Sequence, residues 1–313
     1  MFEKILQAIQ AHDRIILHRH GRPDGDAMGS QIGMKQILLE NFPHKQVYMV
    51  GDQPGLFGFM EGAQVDEIPD SYYDGALAII LDCGSKAMVS DQRYCLAAQT
   101  VRFDHHIFCE QIAQLEVVDT SFESCCGLIT EFASVCGLKL NPLAAKALYT
   151  GMVTDSGRFR YDGTTARTFR LAALLMEQKF DTNALFCDLY ADDFSAKQLK
   201  AKFILKINFT KNNVAYIYTT YDELQALQAD TFTISRSMTN TMADIKGVHI
   251  WVNFTETENG VLCELRSNKY NINPIAVKYC GGGHAKASGA TVKDRDTAMA
   301  MLADLDNMMG ENQ

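Results

Sequence analysis

The order of apolar and polar positions gives the chain two rhythms, short continuous apolar runs alternating with helical stripes up to about residue 195, then alternating strands. Phe2, Ile5, Leu6 and Ile9 share one helical face with Glu3, Lys4 and Gln7 interleaved, which predicts an amphipathic opening helix rather than a signal peptide. Residues 15–17 read as a short buried strand, 27–40 as a helix carrying Ile32, Ile37 and Leu38, and 47–50 as the next strand. Residues 77–81 are uninterrupted apolar, the pattern of a strand buried on both faces of a parallel sheet, and they stop at Asp82. Another run, 100–103, stops at Asp104. Phe122, Cys125, Ile129, Phe132 and Cys136 then share a helical face, and Asn141 before Pro142 starts a helix that ends near Asp155.

Further helices are expected over 164–179 and 183–193, and the lysine-rich stretch 195–207 reads as a helical connector. Beyond it come a strand at 214–219, a helix at 235–245, and a hairpin of strands 249–255 and 261–266 turned at Asn259 and Gly260. A short helix at 274–279 precedes Gly281, Gly282, Gly283 and His284, and a helix over 295–309 closes the chain. The expected architecture is α/β: an N-terminal domain, 1–194, with a mainly parallel sheet flanked by helices, a helical connector, 195–207, and a smaller α/β domain, 208–313.

Composition narrows the function. With 313 residues, 47% hydrophobic and 21% charged, the chain is ordinary for a globular protein, and no apolar run is long enough to span a membrane. Nine cysteines, an odd number with no C-x-x-C pair, argue against a disulfide framework or a zinc ribbon and fit a reducing cytoplasm. A net charge of -9 weighs against stable complexes with long nucleic acid, which need a basic footprint. Small anionic substrates stay allowed, because a metal site adds positive charge that the count omits.

Candidate chemistry gathers at the predicted element ends: His20, Asp24, Asp26, Asp82, Asp104, His105, His106 and Asp155. In open α/β sheets ligands bind outside the strand carboxyl ends, where three of these groups fall. Imidazole with carboxylate suits octahedral divalent ions such as Mn²⁺ and is a poor structural zinc set. Asp24 and Asp26, one glycine apart after Pro23, can feed two ions, and Lys35 at the twelfth position from Asp24 excludes an EF-hand. Trp251, Tyr216 and Tyr218 lie on alternating strands and are expected to be core or sheet-face residues.

In order, His20 to Asp26, Asp82, Asp104 to His106, and Asp155 resemble the motifs of the DHH phosphoesterase superfamily: H-x-x-x-D-x-D, a lone Asp after a buried strand, D-H-H, and a further Asp. Leu265, Arg266 and Ser267, with the stretch from Cys280 through His284 to Gly289, resemble the associated DHHA1 substrate domain. The likeness covers essentially the whole chain, and its length and layout are similar to the nanoRNase and 3'-phosphoadenosine 5'-phosphate phosphatase branch. One departure is Cys280, where that branch commonly has a fourth glycine.

The resemblance implies that His20 and Asp24 hold one metal, Asp26, His105 and Asp155 a second, and that Asp82 bridges them. It leaves His106 for the substrate phosphate, with Asp104 fixing a neighbouring imidazole as the other catalytic residue. Four carboxylates balance two dications, so phosphate needs further cationic donors. Arg266 and His284 supply them, with Ser267, Gly282, Gly283 and Arg158 as further substrate-binding residues. The implied function is a cytoplasmic, Mn²⁺-dependent hydrolase of very short oligoribonucleotides, dinucleotide to pentanucleotide and including 5'-pApA, that also dephosphorylates 3'-phosphoadenosine 5'-phosphate in a cleft between the domains. Rivals within the class are a cyclic-dinucleotide phosphodiesterase, a RecJ-like exonuclease and a manganese pyrophosphatase. A non-catalytic nucleotide sensor is the rival outside it, and a homodimer stays open although no stretch argues for it.

Overall fold

The computed structural model describes residues 1–227 and 229–311, without the side chain of Glu311. The chain divides into two compact units, Met1–Ala191 and Asp192–Gln313. The first holds α1 (Phe2–Ala11), β1 (Arg14–His18), α2 (Gly25–Asn41), β2 (Gln46–Met49), β3 (Leu77–Leu81), β4 (Gln99–Asp104), β5 (Leu115–Val118), α3 (Cys125–Val135), α4 (Pro142–Asp155), α5 (Ala166–Met176) and α6 (Thr182–Tyr190). Its sheet is parallel throughout, in the order β2-β1-β3-β4-β5. The chain leaves β1 to one side for β2 and returns on the other side as β3, which makes the gap between the carboxyl ends of β1 and β3 the switch point where such sheets bind ligands.

Every residue of β3 is buried, as its apolar run requires. The helices collect on one sheet face, where Ile15, Leu17, Ile79, Leu81 and Phe103 meet Ile9, Ile32, Ile129, Leu148 and Leu175. The opposite face, with Ile16, Ala78 and Ile80, is covered by irregular chain and single 3₁₀ turns such as Asp70–Tyr73 and Gln92–Leu96. Strand β5 is absent from the sequence expectation, because its four half-buried residues carry neither an apolar run nor a clean alternation.

Helices α2 and α4 touch along a glycine stripe. A Cβ at Gly29 would lie 2.5 Å from the Ala147 carbonyl oxygen, one at Gly33 2.6 Å from Leu148 Cδ2, and one at Gly25 would collide with Thr154 Oγ1. Gly151 answers from α4, where a Cβ would lie 2.9 Å from Asp26 Oδ1 of α2 and would also run into Cys126 Sγ of α3. The close approach brings the start of α2, with Asp24 and Asp26, beside the end of α4, with Asp155.

The second unit holds α7 (Phe194–Leu205), β6 (Asn208–Phe209), β7 (Ala215–Thr219), α8 (Tyr221–Ala226), β8 (Ile250–Thr257), β9 (Gly260–Ser267), α9 (Asn273–Lys278), β10 (Gly282–His284), β11 (Ala287–Val292) and α10 (Arg295–Glu311). Its sheet runs β10-β11-β9-β8-β7-β6, antiparallel except for the parallel pair β7 and β8. On β9, Val261, Cys263 and Leu265 are buried with Met301, Leu302 and Leu305 of α10, while Leu262, Glu264 and Arg266 alternate onto a half-open face. The expected connector helix is α7, whose Phe203 joins Ile217 and Trp251 in this unit's own core.

One expectation for the second unit needs correction. The helix expected at 235–245 is a π turn, Thr233–Ser237, followed by a 3₁₀ stretch, Met238–Met242. Buried Asn253 donates to the carbonyls of Ile234 and Ser235, and Thr239 Oγ1 donates to Ser235, so side chains satisfy carbonyls that an α-helix would pair with its own N–H groups. The glycine run carries an edge strand, Gly282–His284, paired with β11.

Candidate active site

Four elements of the first unit deliver the site. His20 follows β1, and its Nδ1 lies 2.9 Å from the Gly21 carbonyl. A carbonyl only accepts, so Nδ1 carries a proton and Nε2 is the atom that faces Asp82 Oδ2 at 3.5 Å and Asp24 Oδ1 at 3.7 Å. Asp24 also caps α2, its Oδ1 accepting from the N–H groups of Asp26 and Ala27 at 3.0 Å each. Asp26 is buried at the amino end of α3, accepting from the N–H groups of Cys125 at 2.7 Å and Cys126 at 2.9 Å.

Asp82 ends β3 in the left-handed region, φ 56°, a conformation that costs a non-glycine residue about 1–2 kcal/mol. Its Oδ1 is buried without a hydrogen-bond partner. His105 repeats the geometry of His20: Nδ1 is 3.4 Å from the Phe122 carbonyl, and Nε2 faces Asp155 at 3.3 Å, Asp82 at 3.6 Å and Asp26 at 3.7 Å. Three groups of side chains could hold a metal ion: His20, Asp24 and Asp82; Asp26, His105 and Asp155; and Asp82, His105 and His106. Two imidazole lone pairs aimed at carboxylates, with one carboxylate oxygen orphaned, form a donor set that a divalent cation satisfies and protein hydrogen bonds do not.

Charge crowding appears in the titration of these groups. Burial, then the charge of Asp26, pushes the Asp155 carboxyl up to about 8. Burial, then the charge of Asp82, raises Asp26 well above the carboxylate range. Burial works against His20, but its contacts with Asp24 and Asp82 raise it to about 11, so its Nε2 lone pair is freed for a metal only as the ion takes the proton's place. Cations between these groups would relieve the repulsion and return the acids to their charged forms.

His106 differs from His105. Its Nδ1 donates to Asp104 Oδ1 at 2.7 Å, which leaves the metal grouping that includes it without a free Nδ1 lone pair. The hydrogen bond to Asp104 raises His106 to about 9, so Nε2 also carries a proton to offer. Burial alone would raise the Asp104 carboxyl, but the bonds from His106 and Arg102 hold it below its ordinary value. Arg102, fully buried, donates through Nη2 to Asp104 Oδ2 at 2.6 Å and to the Gly84 carbonyl, and through Nη1 to the Glu110 carbonyl. The sequence reading missed Arg102. Its signal was a charged residue inside an apolar run two positions before Asp104, on the same side of the strand.

The proposed substrate residues divide. Register places Arg266, His284 and Gly282 on one face of the second sheet, together with Glu264, Ala287 and Gly289. No heavy atom lies within 4 Å of a Cβ built on Gly282. Ser267 is not brought there: strand alternation buries it on the other side, where its hydroxyl accepts from the N–H groups of Lys269 and Tyr270. Gly283 also alternates away from that face and serves packing, since a Cβ would lie 2.6 Å from the Ala287 carbonyl oxygen. Arg158 stacks its guanidinium on Tyr190 at 4.9 Å, in a left-handed run with Gly157 and Phe159. Trp251 is buried in the core. The nine cysteines are free thiols, and among the described residues no helix is long and apolar enough to cross a membrane.

Residues 14–152 match the model of the DHH family, N-terminal domain, and residues 216–311 that of the DHHA1 domain. The chain is 34% identical to a bifunctional oligoribonuclease and PAP phosphatase, NrnA, of Bacillus subtilis (strain 168), with 100% of each chain covered. It is 36% identical to a probable protein of the same description from Streptococcus mutans, covering 92% of this chain and 93% of that one. Among solved structures, an exopolyphosphatase-related protein from Bacteroides fragilis superposes with a TM-score of 0.87 over 98% of this chain and 95% of its own, at 21% identity.

Proposed function

The chain belongs to the DHH family, with a DHHA1 domain behind its DHH domain, and from that membership we propose that it is a two-metal phosphohydrolase cutting short oligoribonucleotides to mononucleotides and releasing phosphate from 3'-phosphoadenosine 5'-phosphate. The observation that carries the reading is the convergence of the His20 and His105 Nε2 lone pairs on Asp24, Asp26, Asp82 and Asp155, with Asp82 Oδ1 left unpartnered. In the proposal His20 and Asp24 hold one ion, Asp26, His105 and Asp155 the other, and Asp82 reaches both. The oxygen and imidazole donors favour Mn²⁺. Bound there, the ions would polarise the phosphoryl group and make a water nucleophilic near neutral pH.

The chain's own groups do the rest. His106 donates its Nε2 proton to a phosphoryl oxygen, while Asp104, pinned by Arg102, keeps Nδ1 occupied and the ring fixed. Arg266 and His284 hold the end of the nucleotide, and a guanidinium fork suits a phosphate there. Free thiols at nine positions support placement in a reducing cytoplasm. The test is to supply Mn²⁺ with pyrophosphate, 3'-phosphoadenosine 5'-phosphate, a diribonucleotide and a long single strand, and to follow products over time. Mononucleotides from the dimer and AMP from the bisphosphate are expected. Turnover of pyrophosphate or of the long strand alone would reassign the chain to another branch, and binding without turnover would make it a sensor.

A further inference from the structure

We propose that Arg236 is a second phosphate-binding residue of the C-terminal unit, forming with Arg266 a clamp for the terminal phosphomonoester of a short nucleotide. The substrate class rests on the hydrolase reading above, whereas the arginine pair stands on geometry within this unit. Glu264 accepts from Arg236 Nε at 3.1 Å through Oε1 and pairs with Arg266 Nη1 at 3.2 Å through Oε2. One carboxylate thus serves two guanidinium groups, which leaves a net positive charge on the open face of a chain whose total is -9.

The placement of Arg236 is built from one cross-strand pair. Asn253 on β8 is in register with Glu264 on β9. Asn253 Nδ2 grips the backbone of the π turn Thr233–Ser237 at Ile234 and Ser235, at 2.6 and 2.8 Å, while Glu264 grips the side chain that the same turn carries. The Nη groups of Arg236 take no hydrogen-bond or ion-pair partner among the described residues, and the side chain is 57% exposed. On the β11 side of the same face, Gly289 stands opposite Glu264, Ala287 opposite Arg266, and Gly282 opposite Gly289, so small residues border the pair on that side, with His284 next beyond Ala287.

The charge selects the ligand. A phosphodiester carries one negative charge, while a terminal phosphomonoester carries about -1.5 to -2 near pH 7 and offers three acceptor oxygens. With Glu264 the two guanidinium groups net +1, which attracts the dianion more strongly than the monoanion, and the unpaired Nη groups of Arg236 can serve the additional oxygen that only the monoester offers. Arg236 would therefore discriminate a 5'-phosphorylated dinucleotide from its unphosphorylated counterpart.

Binding is read by isothermal titration calorimetry. The full chain, without added metal, is titrated with 5'-phosphorylated diadenosine dinucleotide and with the unphosphorylated form. Arg236→Ala should weaken the first about tenfold, the scale of one hydrogen bond to a charged group, and change the second less than about twofold. Arg236→Lys should recover part of the loss. Equal weakening of both ligands, or of neither, overturns the proposal. A wild type that binds both ligands equally also overturns it, whatever its turnover with Mn²⁺. A wild type that prefers the phosphorylated ligand but releases no mononucleotide defeats the hydrolase reading and leaves the arginine pair in place.

Discussion

The two units use charge in opposite ways. In the first, acids and imidazoles are packed at strand and helix ends, and almost every one is fixed by a second group: Asp26 by the start of α3, Asp104 by Arg102, His20 and His105 by backbone carbonyls. In the second, the arginines lie on a half-open sheet face and share one glutamate. The enclosed site is suited to chemistry, because fixed charges in a low dielectric interact strongly and resist rearrangement. The open face is suited to recognition, because its groups remain solvated until a ligand arrives. Substitutions should therefore cost stability in the first unit and alter affinity, more than folding, in the second.

The largest stability effect should come from Arg102→Ala. It leaves Asp104 Oδ2 buried without its donor and Glu116 without its partner, a loss of about 3–5 kcal/mol, readable as a lower denaturant midpoint. A loss under about 1 kcal/mol would mean that Arg102 does not support the site. Next, Gly29→Ala drives a methyl group into the Ala147 carbonyl and should cost about 1–3 kcal/mol by overpacking, with activity falling as α2 and α4 are forced apart. An unchanged midpoint would show that the helices separate freely, contrary to the account of how Asp26 and Asp155 are brought together. In the second unit, Cys280 holds φ 60° at an exposed position, and Cys280→Gly should stabilise the chain by about 1 kcal/mol. A loss of stability there would contradict the view that this surface is loosely constrained.

The residues with chemistry were legible because their types and order carry the signal. His20, Asp24, Asp26, Asp82, His105 and Asp155 stand at element ends in both the sequence reading and the structure. The parallel strands β1, β3 and β4 were equally legible from apolar runs ending in polar groups. What stayed hidden depends on partners distant in sequence. The stripe of Gly25, Gly29 and Gly33 reads as poor helix sequence until α4 is set against it. The π turn depends on Asn253, some eighteen residues downstream, and nothing local announces it. Ser267 looks equivalent to its neighbour Arg266 in a motif, but strand alternation sends adjacent side chains to opposite faces. The edge strand Gly282–His284 was not legible because glycine is a weak strand former, and only its pairing with β11 makes the run a strand.

The central claim is that Asp82 reaches two metal ions that support phosphoester hydrolysis. Asp82→Asn keeps the side chain's size and removes its charge, so the most direct measurement is Mn²⁺ bound per chain by equilibrium dialysis, taken with mononucleotide release from a diribonucleotide. The wild type should hold two ions. The variant should hold fewer and lose at least about 10²–10³-fold in turnover, the scale of removing one electrostatic element from an active site, while its unfolding transition remains cooperative. A variant that keeps both ions and its turnover would contradict the account.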